Sequence, residues 1–359
     1  MPISAVDSIG PAFQHAKRQL LQPFRFGQWT RLAFVGLLAG ELSSGGGCNF
    51  QMPSFPRNPR GSEHFLAPSF PFPSADPMLY AGLIALLVAA GLVLWILLVY
   101  VSCVMRFILF DSVVERECHI RKGWTRRQRP GLRYFIWRIV ISFGALAGMV
   151  ILVGVPAAFA FAVGWLTHPR QHILPLVLVG IVLFFLFFAF VICLLVLEVL
   201  SKDFLVPQMA LENIGAFEAW RRLWPMLKQE KGGYAGYLGM KIVMAVGAAV
   251  IVGIVTAILL IVTLIPVGGL GVVAVLAGKA AGLTWNAYTI TVIVVAGSVV
   301  VAGILYLLSL ISVPVIVFFP AYSIYFFAAR YPALAAVVYP APPASPEPPP
   351  LPPVPQHSL

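Results

Sequence analysis

Long apolar runs separated by polar stretches dominate this sequence. Residues 77–105, 139–167, 173–197, 242–278 and 280–329 contain no Asp, Glu, Lys, Arg or His. A helix needs roughly 20 apolar residues to cross a hydrocarbon core of about 30 Å. The pattern therefore predicts five long membrane spans. We expect Pro266 with Gly268-Gly269 to break the fourth run, and Pro314 with Pro320 to break the fifth.

A shorter apolar run, Leu32–Gly40, lies near the N-terminus. It is too short to span alone, so we expect a short, tilted or partly re-entrant first span that starts near Trp29 and takes in Glu41. The alternative is a cleaved signal peptide, although no A-x-A-like cleavage site follows. With this run included, the predicted fold is all-α: a polytopic transmembrane helical bundle of about six spans, arranged as three hairpins.

Residues 1–28 predict an amphipathic helix at the membrane interface. The apolar positions, three or four residues apart, are Ile9, Phe13, Ala16, Leu20 and Phe24. The opposite face carries Gln14, Lys17, Arg18 and Gln22. Such a helix lies in the interface plane with its basic residues toward lipid headgroups.

Short segments recur beside the apolar runs. Phe107–Glu115 matches Phe204–Glu212 in residue type at most positions, and Ala12–Arg18 matches Ala216–Arg222. We interpret the longest of these stretches, Phe204–Arg222, as an amphipathic segment at the membrane surface. The repeated unit is then a surface helix, a membrane hairpin and a second surface helix.

Composition places most of the chain in lipid. The chain is 60% hydrophobic and 10% charged, with a mean hydropathy of +0.92, whereas a soluble domain carries about 25% charged residues. The net charge of +11 comes from Lys and Arg concentrated in the connections 106–138 and 201–241. Because Lys- and Arg-rich connections stay in the cytoplasm, we expect a plasma (inner) membrane protein with both termini cytoplasmic.

The predicted transmembrane domain covers residues 29–335. It contains a Gly/Pro-rich extracytoplasmic loop at 44–77, a basic cytoplasmic loop at 106–138 and an amphipathic cytoplasmic segment at 201–238. Residues 336–359 form a Pro-rich disordered tail, because so many prolines favour an extended chain. Its PxxP motif is a candidate ligand for a protein partner, and a passive solvated tail is the simpler interpretation.

Motifs for catalysis or cofactor binding are absent from the sequence. It has no nucleophile elbow, no zinc-binding helix motif and no phosphate-binding loop. His168 and His172 have the spacing of metal ligands, but Pro169 lies between them and no carboxylate or thiol is close. We therefore expect a protein that is not an enzyme and holds no cofactor or metal.

Ionisable residues within the apolar runs are also scarce. Glu198 lies at the end of the third long run, where an i, i+4 pair with Lys202 accounts for it. Lys279 lies between two runs, where its side chain can reach the outer surface. This scarcity argues against ion-coupled transport, which uses such groups at mid-depth.

Basic residues surround Trp124 and form the one candidate binding site in the sequence. They are Arg121, Lys122, Arg126, Arg127, Arg129 and Arg133. A basic cluster just cytoplasmic of a span is typical of a site for anionic lipid headgroups. The alternative is that these charges only hold the connection inside the cell. Nucleic acid is not an expected partner, because no groove-reading fold accompanies the charge.

Several motifs resemble one known family. They are PFRFGQWTRLAFVGLLAG, GGGCNF, RFILFDSVVE followed by IRKGWTRR, and DFLVPQMALENIGAFEAWRR. Over residues 8–335 the chain resembles an uncharacterised family of prokaryotic multi-span membrane proteins, a domain of unknown function. That family is distantly similar to the membrane domain fused to some glycerophosphodiester phosphodiesterases, whose catalytic domain has no counterpart here. The resemblance implies a topology and no activity, and it carries over no catalytic residues.

These observations favour a non-enzymatic membrane scaffold that binds anionic lipid, or a protein partner, through its cytoplasmic face or its Pro-rich tail. The alternative is a transporter or permease for a lipidic or weakly polar substrate, with its site between hairpins. A water-lined cavity at mid-depth would favour the transporter. A filled core with basic side chains ringed at one face would favour the scaffold. The oligomeric state is left open.

Overall fold

The computed structural model describes residues 4–41, 77–165, 172–280, 282 and 287–339. Their helices are α1 (Ile9–Leu21), α2 (Phe26–Ala39), α3 (Pro77–Val114), α4 (Ile120–Ala162), α5 (Ile173–Glu212), α6 (Ala216–Gln229), α7 (Lys231–Ala280), α8 (Ala287–Ala328) and α9 (Pro332–Val338). No strand occurs within these ranges, and the predicted all-α class is confirmed. The predicted loop at 44–77, apart from Pro77, and residues 340–359 of the predicted tail lie outside the described residues. The start of the disordered tail at residue 336 is wrong, because residues 336–338 belong to α9.

Five of the helices, α3, α4, α5, α7 and α8, are long and apolar enough to cross a membrane. The chain is therefore a multi-pass membrane protein. The short first run, Leu32–Gly40, behaves differently: it lies in α2, which has 14 residues and is about 21 Å long. That length is less than the hydrocarbon thickness, so the predicted short, tilted or partly re-entrant first span is not among the five long ones and stays a prediction.

Packing is concentrated at one end of the molecule, which we call the base. The base consists of α1, α2, α6 and α9 together with the ends of the five long helices at residues 103–113, 134–137, 200–210, 234–237 and 313–328. In contrast, the most apolar stretch of α3, α4, α5 and α7 has no buried residue, and that of α8 is 22% buried. The helices are held together at the base, and their apolar middle parts are exposed.

The recurring segments form the centre of the base. Phe107–Glu115 and Phe204–Glu212 end α3 and α5, and Phe107 and Phe204 are both 0% exposed. The rings of Tyr237, Phe326 and Phe327 surround Phe204 with centroid distances of 5.2, 6.1 and 5.0 Å, so the first half of Phe204–Arg222 is packed inside the protein; its predicted position at the membrane surface stays a prediction. The second half forms α6, which is amphipathic and buries Ala216, Ala219 and Leu223.

The stretches predicted as cytoplasmic connections are almost entirely helical. In the basic connection 106–138, only residues 115–119 lie outside α3 and α4, and the segment 201–238 belongs to α5, α6 and α7 apart from short turns. The basic connection is thus mostly helix instead of irregular loop, because α4 packs on the base through a buried stripe; its cytoplasmic location stays a prediction. Residues three or four apart make up this stripe: Arg127, Pro130, Gly131, Tyr134 and Trp137.

Prolines do not break the long helices. Pro266 lies inside α7, and Pro314 and Pro320 lie inside α8, so the breaks predicted there are wrong. In an apolar medium no water satisfies backbone groups that a broken helix exposes, and an intact helix is favoured even around a proline.

Two other prolines change the helical hydrogen bonding locally. The π turns Val150–Gly154 in α4 and Ser201–Leu205 in α5 each end two residues before a proline, Pro156 and Pro207. Because proline lacks an N–H group, it removes one i to i−4 hydrogen bond. A π turn accommodates this loss by shifting the bonding by one residue.

Helix α1 is attached to the base through polar side chains. His15 bonds the carbonyl oxygen of Val113 through Nε2 at 2.8 Å and the hydroxyl of Tyr325 through Nδ1 at 3.2 Å. Gln19 donates to the carbonyl of Ser112 at 2.7 Å. Burial lowers the pKa of His15 from its ordinary value of 6.5, and the nearby charge of Arg116 lowers it further. Burial therefore favours the neutral form of His15 in the folded protein.

The neutral state of His15 predicts a loss of stability in mild acid. As the pH falls below the ordinary pKa, His15 becomes protonated in the unfolded chain more readily than in the folded chain, so unfolding becomes more favourable. We expect the thermal midpoint in detergent to fall between about pH 7 and pH 5. The dependence of the thermal midpoint on pH should become weaker in His15→Gln. It should stay unchanged in His119→Gln, which alters an exposed histidine. Equal slopes in all three proteins would contradict this role.

Close packing of α2 on α8 predicts a second stability effect. A Cβ atom added at Gly36 would lie 2.6 Å from side-chain carbons of Ile316, whereas one added at Gly27 on the same helix would meet nothing within 4 Å. We expect Gly36→Ala to lower the free energy of unfolding by about 1–3 kcal/mol. Gly27→Ala should be neutral or slightly stabilising, because alanine favours helix. Denaturation in detergent measures both, and a neutral Gly36→Ala would mean that the interface is loose.

Candidate functional site

Five ionisable side chains converge in the base from four parts of the chain. They are Glu41 at the end of α2, Arg106 on α3, Lys202 and Asp203 on α5, and Lys241 on α7. We call this group the charge cluster. Together with apolar residues of α3 and α8 it lines a cavity of about 40 Å³. A space of that size holds more than one water molecule.

Arg106 is the most deeply buried member, with 5% of its surface exposed. Its Nη1 donates to the hydroxyl of Tyr134 at 3.0 Å, and its Nη2 donates to the carbonyl of Ala39 at 3.0 Å. Its Nε has no hydrogen-bond partner among the described residues, and the carboxylate of Glu41 lies 3.8 Å away. A buried N–H without a partner is costly.

The other members form two ion pairs. The Nζ atom of Lys202 lies 3.2 Å from Oε1 of Glu41. Asp203 accepts a hydrogen bond from the hydroxyl of Tyr237 at 2.9 Å and a second from the ammonium of Lys241. Three cations therefore face two carboxylates, and the charge cluster has one formal positive charge in excess. Its chemistry suits a small anionic group.

The π turn of α5 positions two of these residues. Lys202 and Asp203 are neighbours in sequence, and both lie in Ser201–Leu205 and line the cavity. The following Pro207 accounts for this turn. π turns inside α-helices occur frequently at functional sites, so the sequence Asp203 to Pro207 is a local signal that the sequence analysis missed.

Glu198 pairs differently from the prediction. Its carboxylate lies 3.9 Å from Arg138 of α4, while the salt bridge of Lys202 is to Glu41. The predicted i, i+4 pair of Glu198 with Lys202 is therefore wrong, because Lys202 turns toward the cavity instead of the helix surface.

The six residues of the predicted basic site do not all face the same environment: five are exposed and one is buried. Arg121, Lys122, Arg126, Arg129 and Arg133 are exposed on α4. Arg121 and Lys122 line an open depression together with Arg31. Arg126 pairs with Glu115 at 3.1 Å, and Arg133 donates to the carbonyl of Asn213 at 2.6 Å. Anionic-lipid binding by this set stays a prediction.

Arg127, the sixth, points into the base and is 7% exposed. Its Nε and Nη2 donate to the two carboxylate oxygens of Asp111, each at 2.6 Å, and its Nη1 donates to the carbonyl of Ala210 at 2.6 Å. These bonds tie α4 to α3 and α5. Arg127 therefore has a structural role that its sequence context concealed.

Metal-ligating groups do not converge anywhere in the described ranges. No three His, Cys, Asp or Glu side chains there come close enough to hold a metal ion. His168, one of the two histidines with metal-like spacing, lies outside the described residues. The expectation of a protein without metal or cofactor stays a prediction.

Comparison with known proteins identifies the family. The chain matches a model described as a family of unknown function, DUF7544, over residues 3–337. This protein belongs to that family. Neither the curated proteins nor the solved structures contain a match. The resemblance to an uncharacterised membrane-protein family is thus confirmed in its coarse form, and the likeness to the membrane domain of phosphodiesterases stays a prediction.

The different environments of Arg126 and Arg127 predict losses of stability of different size on mutation of this DUF7544 protein. Arg127→Met leaves the nearly buried Asp111 without its cation and should lower the free energy of unfolding by about 3–5 kcal/mol. Arg126→Met removes an exposed pair and should cost less than about 1 kcal/mol. Thermal or denaturant unfolding in detergent measures the difference. Similar losses in the two variants would contradict the structural role of Arg127.

Proposed function

We propose that this protein is a non-enzymatic membrane scaffold that binds anionic lipid headgroups at the charge cluster. The observation that carries the proposal is the excess cation in a small, partly polar cavity. A lipid phosphate offers oxygens that accept hydrogen bonds, and charge-assisted bonds of this kind are the stronger ones. Arg106 Nε and the ammonium groups of Lys202 and Lys241 supply donors.

The depth of the charge cluster supports a headgroup ligand. Each of its cations stands where an apolar run ends: Arg106 follows the run 77–105, Lys202 follows the run 173–197 after a short interval, and Lys241 directly precedes the run 242–278. A helix leaves the hydrocarbon at such a point, and the phosphate layer begins there. A lipid in the surrounding leaflet therefore carries its phosphate at the level of the cavity.

The orientation of the protein follows from its basic residues. The Lys- and Arg-rich segments 106–138 and 201–241 lie in the base or directly beside it, so the positive-inside rule favours a cytoplasmic base. We propose a plasma (inner) membrane location. The exposed residues Arg121, Lys122 and Arg129 then add a positive field on the cytoplasmic side, which draws anionic lipids toward the base.

A transporter or permease for a lipidic substrate is the alternative function. Transport needs a path between spans, and the apolar middle parts of the described spans are exposed instead of lining one. The packed base with basic side chains on its surface supports the scaffold.

Opposite charge changes within one ion pair test the proposal. Lys202→Gln removes the excess charge and should weaken binding of phosphatidylglycerol about fivefold, whereas Glu41→Gln adds to the excess and should strengthen it by a similar factor. The protein is reconstituted in nanodiscs of phosphatidylcholine with increasing phosphatidylglycerol, and native mass spectrometry counts the retained anionic lipids.

The signs of the two effects separate binding from stability. If the charge cluster only stabilises the fold, both variants should lower the thermal midpoint and neither should change lipid selectivity. The triple variant of Arg121, Lys122 and Arg129 to Gln is the surface control. Loss of phosphatidylglycerol in the triple variant alone would move the site to the outer basic surface and overturn the assignment to the cavity.

A further inference from the structure

A large apolar groove lies beside the base, between α1, α7 and α8. Its volume is about 700 Å³, within the range of about 300–1,000 Å³ that is typical of small-molecule sites. Phe13 and Leu21 of α1, Gly247 and Ile251 of α7, and Phe318 of α8 are among the lining residues. The groove is thus large enough for a ligand.

The groove arises because α1 and α7 both pack mainly on α8. Phe13 and Leu21 remain 62% and 54% exposed, and Ile251 is 67% exposed. The indole N–H of Trp29, another lining residue, donates to the carbonyl of Leu310 at 3.0 Å and fixes one wall. Apolar side chains exposed together around one concave space indicate a binding surface.

The position of the groove restricts its occupant to lipid. The α7 wall, Met244–Val252, belongs to the apolar run 242–278, so this wall lies within the hydrocarbon layer. In that layer the molecules next to the groove are lipid chains. Among the described residues that line the groove, Lys17 is the one ionisable residue, and it supplies a positive charge beside the apolar walls.

We propose that the groove binds one phospholipid from the surrounding leaflet. An acyl chain lies against Phe13, Ile251 and Phe318, and the phosphate pairs with the ammonium of Lys17. The amphipathic helix α1 then does more than rest on the membrane, because it forms one wall of the lipid site. This site is separate from the charge cluster, so it does not depend on headgroup binding there.

Two glycines on α7 provide a matched test of acyl-chain binding. A Cβ atom added at Gly247 or at Gly253 would meet nothing within 4 Å, and of the two only Gly247 lines the groove. The full chain is reconstituted with a phosphatidylcholine that carries a photoreactive group on one acyl chain. In the native protein we expect cross-links to peptides of residues 9–21 and 244–252. Gly247→Phe should lose these cross-links, and Gly253→Phe should keep them.

A second pair tests the phosphate contact. Lys17→Gln should lower cross-linking by the phospholipid probe about fivefold, and Arg18→Gln, at an exposed neighbour outside the groove lining, should leave it unchanged. A photoreactive fatty acid is used in parallel. Preferential labelling by the fatty acid, or a protein–protein cross-link through the same peptides, would replace the phospholipid as occupant and overturn the proposal.

Equal labelling of the Gly247→Phe and Gly253→Phe variants would also overturn it, because contact with bulk lipid does not distinguish the two positions. Thermal midpoints of the variants are measured alongside, and a variant that keeps the native midpoint while losing the cross-links supports the site. Lys202→Gln serves to separate the two lipid proposals. It should leave labelling of the groove unchanged even if it removes headgroup selectivity.

Discussion

Lipid gives apolar helices no hydrophobic reason to associate, since a lipid tail is as apolar as a leucine side chain. The rest of this structure depends on that constraint. The five spans are largely exposed along their apolar middle parts, and most of the buried side chains lie at the base. There the helices are joined by buried aromatic rings and by hydrogen bonds that cross between helices, of which those of Arg127 to Asp111 and Ala210 join three elements.

The base uses polar groups in two different ways. Arg127 and Asp111 satisfy each other fully, and such a pair specifies how three helices fit together. The charge cluster is less complete, because its three cations exceed its two carboxylates and Arg106 Nε lacks a bond within the described residues. Burying unbalanced charge is costly. A bound anion that supplied the missing acceptor would offset this cost, which is the physical link between the fold and the proposed lipid binding.

Lipid contact also explains the two candidate sites taken together. The charge cluster lies where apolar sequence ends, and the groove lies where apolar sequence begins along α7. The first suits a phosphate, and the second suits an acyl chain beside a single ammonium. A membrane protein with exposed spans and a packed base can bind lipid at both levels without needing a path across the membrane.

The periodicity and length of the apolar runs determined the membrane class, the five long spans and the all-α fold, because a spanning helix must satisfy its own backbone. The sequence also marked residues 107–115 and 204–212 as related segments. Only the tertiary structure decided that these segments are core, that α4 continues through the supposed basic loop, and that Arg127 points inward. It alone brought Glu41, Arg106, Lys202 and Lys241 together. Burial and pairing of charges depend on which helices meet, and the residue pattern within one helix does not specify those contacts.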